Sequence, residues 1–257
     1  MLDKFIYNWF EKLNAWRLSS FKHKSLVIQR TIAWKIIKHT LWNWNSQNHD
    51  DFLNKFRIND KNIALIWNSP NLKEQNYGND IDSHNLIIRL NTWILPSHLS
   101  ANKTWVKTNL WATQALHSIC HPDIWIEITA NKEKYENILI WLSEIPQADK
   151  HYFDNLYIKY FKLRKHNLYF TPKEKYQKLL KMLNSWNSIR YSPSTWFVFF
   201  MFLLDLCENN NISLYWFTFS NEHRILSDAP AIFHDFKKEK EIILQKISEN
   251  DNINIYQ

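Results

Sequence analysis

Asn68 and Ser69 follow the apolar run Ile63 to Ile66 by way of Trp67, and Asn91 follows the run Leu86 to Ile88 by way of Arg89 and Leu90. Short uncharged hydrogen-bond groups with free backbone N–H groups beside them suit an anionic ligand. A buried strand that ends in a polar turn is how an α/β sheet delivers such groups to a crevice. Two strand ends carrying Asn68, Ser69 and Asn91 could thus converge on one anion. Ser194 and Thr195 come after Pro193, a natural first-turn residue, and open an apolar run. Their bland role is helix capping. Histidines such as His223 and His234 can take a proton near neutrality, the free imidazole titrating at about 6.5. A lone histidine is usually structural, so only its company can raise it above that. Asp80 and Asp82 stand one residue apart, a spacing seen in carboxylate pairs that hold a divalent metal.

These residues need a scaffold, and alternating strand and helix patterns supply one. Ile124 to Thr129 reads as a strand and Lys132 to Leu142 as a helix. Leu156 to Tyr160 reads as a strand, Lys173 to Leu183 as a helix after Pro172, and Thr195 to Glu208 as a helix. Ile212 to Phe217 reads as a strand and Asp235 to Ile247 as the closing helix. Alternation of this kind predicts a mostly parallel sheet flanked by helices on both faces. At 257 residues, with no Pro/Gly/Ser linker, one α/β domain over residues 61–257 is expected after a basic, aromatic helical segment over residues 1–60.

Three segments in order resemble the sialylmotifs of glycosyltransferase family 29, the eukaryotic-type sialyltransferases. The long motif is matched by N-S-x-N-L from Asn68, Y-G-x-D-I-D-S-H from Tyr77 and R-x-N from Arg89. The short motif is matched by Pro193-Ser194-Thr195, the apolar run Phe197 to Leu204, Cys207 and Leu214-Tyr215. The very short motif, H-x4-E, is matched by His234 and Glu239. The resemblance runs from about Asn62 to Leu244, and it is the ordered set, not any one motif, that is specific.

This resemblance implies a Rossmann-like domain that transfers sialic acid, Kdo or a related nonulosonic acid from its CMP donor to a glycan hydroxyl, with inversion. Asn68, Ser69 and Asn91 would contact the donor nucleotide and phosphate. Ser194, Thr195 and Trp196, backbone included, would hold ribose and cytosine, and Tyr191 would reach the phosphate. His234 would be the general base and Glu239 its structural or orienting partner. His223, in Asn-Glu-His-Arg, would pair as a cation with the departing phosphate. Asp82, His84 and Arg89 would support the loop, with Lys107 and Thr108 structural or near the site. Asp80-Ile81-Asp82 mimics the metal motif of other glycosyltransferases, but the family works without a divalent metal. No metal and no cofactor beyond the CMP-sugar substrate is expected. Pro70 and Ile63 depart from a family Gly and Cys.

Composition adds a second anomaly. Ordinary usage of ~7% would give about 18 glycines, yet the chain has 1 Gly and 14 Trp. Trp67, Trp105, Trp196 and Trp216 stand where the resembling family has glycine. Glycine at a strand end or helix start lets backbone approach a nucleotide, whereas an indole fills that space. Some bacterial lineages read UGA as glycine, and translating those codons as tryptophan would produce this pattern. Drift in an AT-rich genome is the alternative; it explains few glycines but not tryptophan at motif positions.

The net charge of +7 suits an acidic ligand or an anionic surface without choosing between them. Two cysteines, Cys120 and Cys207, form no disulfide framework. The bridge of the animal enzymes is missing because Ile63 replaces its first cysteine, which points to a reducing compartment. The longest apolar run of the catalytic region, Trp196 to Leu204, has 9 residues, too short for a membrane span. A cytoplasmic location is expected. The segment from Phe5 to Lys38 either rests on an anionic inner leaflet as a peripheral contact or packs on the core with a solvated basic face. A bacterial surface polysaccharide is the expected acceptor class. Two other readings stay open: a catalytically inactive relative that binds partners, and a non-specific nucleic-acid binder. Scattered rather than clustered basic residues count against the latter, so no nucleic-acid partner is expected.

Overall fold

Unbroken apolar runs become strands here because both faces of the sheet are covered. The computed structural model describes residues 52, 54–56, 62–67, 77–91, 94, 107–114, 122–141, 166–171, 173–183, 193–206, 210–215 and 235–256. Its strands are β1 (Asn62–Ile66), β2 (Leu86–Leu90), β3 (Leu110–Gln114), β4 (Asn137–Trp141), β5 (Asn167–Phe170), β6 (Asn211–Tyr215) and β7 (Ile253–Tyr256). They form one 7-stranded sheet in the order β5-β4-β3-β2-β1-β6-β7. Every neighbouring pair is parallel. The described helices are α1 (Gly78–Ser83), α2 (Pro122–Ala130), α3 (Lys173–Met182), α4 (Thr195–Leu206) and α5 (Phe236–Ser248).

The chain builds outward from β1 to β5, then returns to lay β6 on the other side of β1. Strand order therefore reverses between β1 and β6, and in such sheets the ligand crevice opens at the carboxyl ends beside that reversal. Register pairs Ile66 with Tyr215 there, and Trp67 N–H donates to the Tyr215 carbonyl at 3.3 Å.

Side-chain alternation divides the core into two layers. Ile63, Leu65, Ile88 and Leu214 belong to the large cluster that also holds Leu179 of α3, Phe197 and Phe200 of α4, and Ile243 of α5. Ala64, Ile66, Ile87 and Tyr215 belong to a smaller cluster with Ile81 of α1. Helix α4 is buried along most of its length, Trp196 through Leu203, as its apolar sequence requires. Phe52 is also in the large cluster, its ring 5.5 Å from Phe202 and 5.2 Å from Tyr169.

Two expected elements are exchanged. Ile124 to Thr129 is the body of helix α2, not a strand. Pro122 and Asp123 begin it, a first-turn pairing that favours helix. Among its described side chains the buried ones are Ile124, Glu127 and Ile128, the helical spacing, while Ile126 is 63% exposed. A strand would have put all three isoleucines on one face. Lys132 to Leu142 is not a helix: residues 132–135 turn, and Asn137–Trp141 form β4. The apolar run Ile138-Leu139-Ile140-Trp141, buried throughout, outweighs the helix-favouring Lys-Glu-Lys before it. Strands β3, β5 and β7 and helix α1 were not anticipated. Leu156 to Tyr160 lies outside the described residues, as do residues 1–51. Among the described residues, no helix is long and apolar enough to cross a membrane.

Candidate active site

Ser194 caps α4. Its Oγ accepts from Phe197 N–H at 3.3 Å, and its carbonyl accepts from Val198 N–H at 3.1 Å. The same residue donates twice to Glu239 of α5, from its N–H to Oε1 at 2.7 Å and from Oγ to Oε2 at 2.6 Å. Glu239 is fully buried and sits at the amino end of α4, where the helix dipole favours negative charge. Burial raises its pKa, Ser194 opposes that, Asp235 reinforces it, and the carboxyl ends at about 8. Near neutrality the group therefore holds its proton readily. Asp235 caps α5 in turn, accepting from Lys238 N–H at 3.1 Å. One carboxyl thus ties together the openings of two helices drawn from segments 45 residues apart. Thr195, half-buried, follows in the first turn of α4.

Trp196 is 2% exposed, and its ring meets that of Trp67 edge-on with centroids 4.9 Å apart. The start of α4 therefore lies against the carboxyl end of β1, beside the strand reversal. One strand over, Asn91 directly follows β2 with φ 50, the left-handed region that asparagine tolerates better than most residues. Its carbonyl accepts from Trp111 Nε1 at 2.8 Å, and its Oδ1 accepts from Thr113 Oγ1 at 3.3 Å. Strand β3 thereby fixes both the backbone and the side chain of Asn91.

Below this edge, polar groups brace the sheet. His84 Nε2 is 2.9 Å from Ser213 Oγ of β6, and its Nδ1 is 2.8 Å from the Asp80 carbonyl, joining the end of α1 to the sheet. The Tyr215 hydroxyl donates to Asp80 Oδ2 at 2.6 Å. Burial, then that hydrogen bond, holds the phenol well above its usual range, so it stays a donor. Arg89 is fully buried and donates from Nε to the Lys107 carbonyl at 3.1 Å; burial pulls it down to about 10, with Asp82 opposing. Burial likewise raises Asp82, outweighing the attraction of Arg89 and Lys107. Asp80 and Asp82 thus face different partners. Among the described residues, no group of three His, Cys, Asp or Glu is placed to hold a metal.

The structure brings Ser194, Thr195, Trp196 and Glu239 together, and sets Asn91 beside β1. Asp82, His84 and Arg89 lie in the bracing layer. Asn68, Ser69, Tyr191, His223 and His234 lie outside the described residues, as do Trp105, Trp216, Cys120 and Cys207. In the chain, Asn68 follows Trp67 and His234 precedes the α5 cap, so the described residues flank both. Ser213 and Tyr215 went unassigned to any role. Their signal was available: Ser213 is a lone polar residue inside the apolar run of β6 and implies a buried partner. A cavity of about 440 Å3 lies at the opposite, amino edge, lined by Asn210, Ile212, Asn252 and Ile253 at the starts of β6 and β7 together with α3 and α4.

Comparison with known proteins places the fold. Two crystal structures of a mammalian sialyltransferase, one in complex with Gal-beta-1-3GalNAc-ortho-nitrophenol, superpose with TM-scores of 0.58 and 0.56. Each matches 98% of this chain at 18% identity and is itself covered to 84% and 85%. The chain therefore has the α/β fold of those enzymes. In sequence, a stretch of 44 residues is 43% identical to the CMP-N-acetylneuraminate-beta-galactosamide-alpha-2,3-sialyltransferase 1 of Mus musculus. That stretch is 17% of this chain and spans only 13% of the mouse enzyme's length. No protein-family model matches the chain.

Proposed function

We propose that this protein is a sialyltransferase-like glycosyltransferase that moves sialic acid, Kdo or a related nonulosonic acid from its CMP donor to a glycan hydroxyl. The observation that carries this reading is the Ser194–Glu239 clamp at the α4 amino end, beside the β1 carboxyl end. It joins the two later motif segments at the edge where the sheet order reverses. Asn68, Ser69 and Asn91 then serve the donor phosphate from the β1 and β2 ends. Thr195 and the backbone that Ser194 caps read cytosine and ribose, with Tyr191 reaching toward the phosphate.

In the proposed reaction the acceptor hydroxyl oxygen attacks the anomeric carbon from the face opposite CMP. His234 takes the hydroxyl proton, and the bond from the anomeric carbon to the phosphate oxygen breaks with its electron pair leaving on CMP. His223, as a cation, offsets the charge on the departing phosphate. Configuration inverts, and no metal takes part. A carboxylated ketose donor, a bacterial surface glycan acceptor and a cytoplasmic location complete the reading.

The test is ligand-dependent stability, since a ligand that binds only the folded state raises the thermal midpoint. In the chain carrying glycine in place of Trp67 and Trp196, CMP at 100 times its dissociation constant stabilises by about 2.7 kcal/mol, and UDP should give no comparable shift. Equal shifts with both nucleotides would remove the donor assignment. One observation favours a second reading, an inactive relative kept for partner binding: the Trp67 and Trp196 rings fill the space beside α4. Absence of any CMP shift in chains carrying either tryptophan or glycine at those positions would select it.

A further inference from the structure

Buried tryptophans of this chain divide into two kinds. Trp111 lies inside β3, fully buried, and its indole N–H donates to the Asn91 carbonyl at 2.8 Å. That is how a buried indole normally satisfies its polar handle. Trp141 ends β4 and is equally buried, yet among the described residues its indole N–H has no hydrogen-bond acceptor. Buried polar groups in native folds are nearly always bonded, so such an orphan needs an explanation. Trp67 directly follows β1, and Trp196 occupies the first turn of α4. Their rings lie 4.9 Å apart in the space between a strand end and a helix amino terminus. That space is where a parallel sheet admits a ligand and where glycine lets backbone approach it. Trp67, Trp141 and Trp196 all stand on the carboxyl side of the sheet. A chain with 14 Trp and 1 Gly has too many of the first and too few of the second.

We propose that glycine, not tryptophan, stands at positions 67, 141 and 196 in the protein its own cell makes, and that loss of the Trp67 and Trp196 indoles opens the ligand crevice beside α4. The codons responsible are UGA read as glycine. Trp111, whose N–H is bonded, remains tryptophan. The crevice half of this inference rests on the transferase reading; the residue identities do not.

Peptide mass mapping of the protein isolated from its own host tests the identities without reference to any ligand. Glycine is expected in the peptides covering 67, 141 and 196, and tryptophan in the one covering 111. Tryptophan at 67, 141 or 196, or glycine at 111, would overturn the assignment. The crevice is tested by adding CMP to two recombinant forms, the chain with tryptophan throughout and the Trp67→Gly, Trp196→Gly variant. CMP should raise the thermal midpoint of the variant alone. Equal shifts in both forms would overturn the crevice. Glycine in the peptides with no CMP shift in either form would count against the transferase reading and leave the recoding standing.

Discussion

Ser194 uses its hydroxyl twice, as the cap of α4 and as donor to a buried carboxyl, so truncating it removes more than a cap. Ser194→Ala should cost about 2–4 kcal/mol, the sum of a lost N-cap and a carboxyl left short of partners. Chemical denaturation reads that loss directly; a change under half a kcal/mol would mean that Glu239 finds other partners. Tyr215→Phe deletes one donor to Asp80 and should cost about 1 kcal/mol. Its partner is exposed and can rehydrate, so the effect should be the smaller of the two. His234→Ala should slow turnover by roughly 10²–10⁴-fold, the usual contribution of a positioned base. CMP affinity should hold in that variant, because the proposed base faces the acceptor hydroxyl. Loss of CMP binding instead would assign His234 to the fold. The residue chemistry was legible only where spacing carried it. Ser194, Glu239 and Asn91 stood out through the motif resemblance, but the hydrogen bond between the first two joins residues 45 apart and needed coordinates.

At the scale of elements, Glu239 links the openings of α4 and α5, and its raised pKa makes that link depend on pH. The folded state holds this proton more tightly than the unfolded state. Its stabilising contribution is therefore fully present below the ordinary value of 4.5 and is lost as pH rises through about 8. Each unit of pKa difference corresponds to about 1.4 kcal/mol. The thermal midpoint should fall between pH 5 and pH 8, a span set by the 4.5 and about 8 above. Glu239→Gln, which cannot ionise, should flatten that slope. An unchanged slope in the variant would place the titrating group elsewhere. Most strands and helices were readable where apolar period and boundary agreed, as in β1, β2, α3, α4, β6 and α5. The exchange of α2 and β4 has a definite cause. Isoleucine at 124, 126 and 128 imitates strand alternation, while Pro122 and Asp123 start a helix that buries Ile124 and Ile128 and exposes Ile126. Conversely, the charged residues 132–134 imitate a helix in front of a four-residue buried strand core. Short strands such as β5 and β7, only 4 residues each, carry too little pattern to be read before their neighbours are known.

For the molecule as a whole, the parallel sheet with its reversal beside β1 decides where a ligand can sit; Asn68 and Ser69, which the sequence reading expects there, lie outside the described residues. Net charge of +7 favours an anionic substrate through the long-range field without selecting it. Treatment with EDTA should leave activity unchanged, since Asp80 is held by the Tyr215 hydroxyl and, among the described residues, no group of three His, Cys, Asp or Glu is placed to hold a metal; inactivation restored by a divalent metal would overturn that. The central claim is transfer from a CMP-linked carboxylated sugar, and CMP release measures it most directly. The chain carrying glycine at 67, 141 and 196 should release CMP from at least one of the CMP-linked sialic acid, Kdo and nonulosonic acid donors when a glycan acceptor is present. It should release no UDP from UDP-sugars. Turnover of a UDP-sugar, or of none of the CMP donors, would contradict the account.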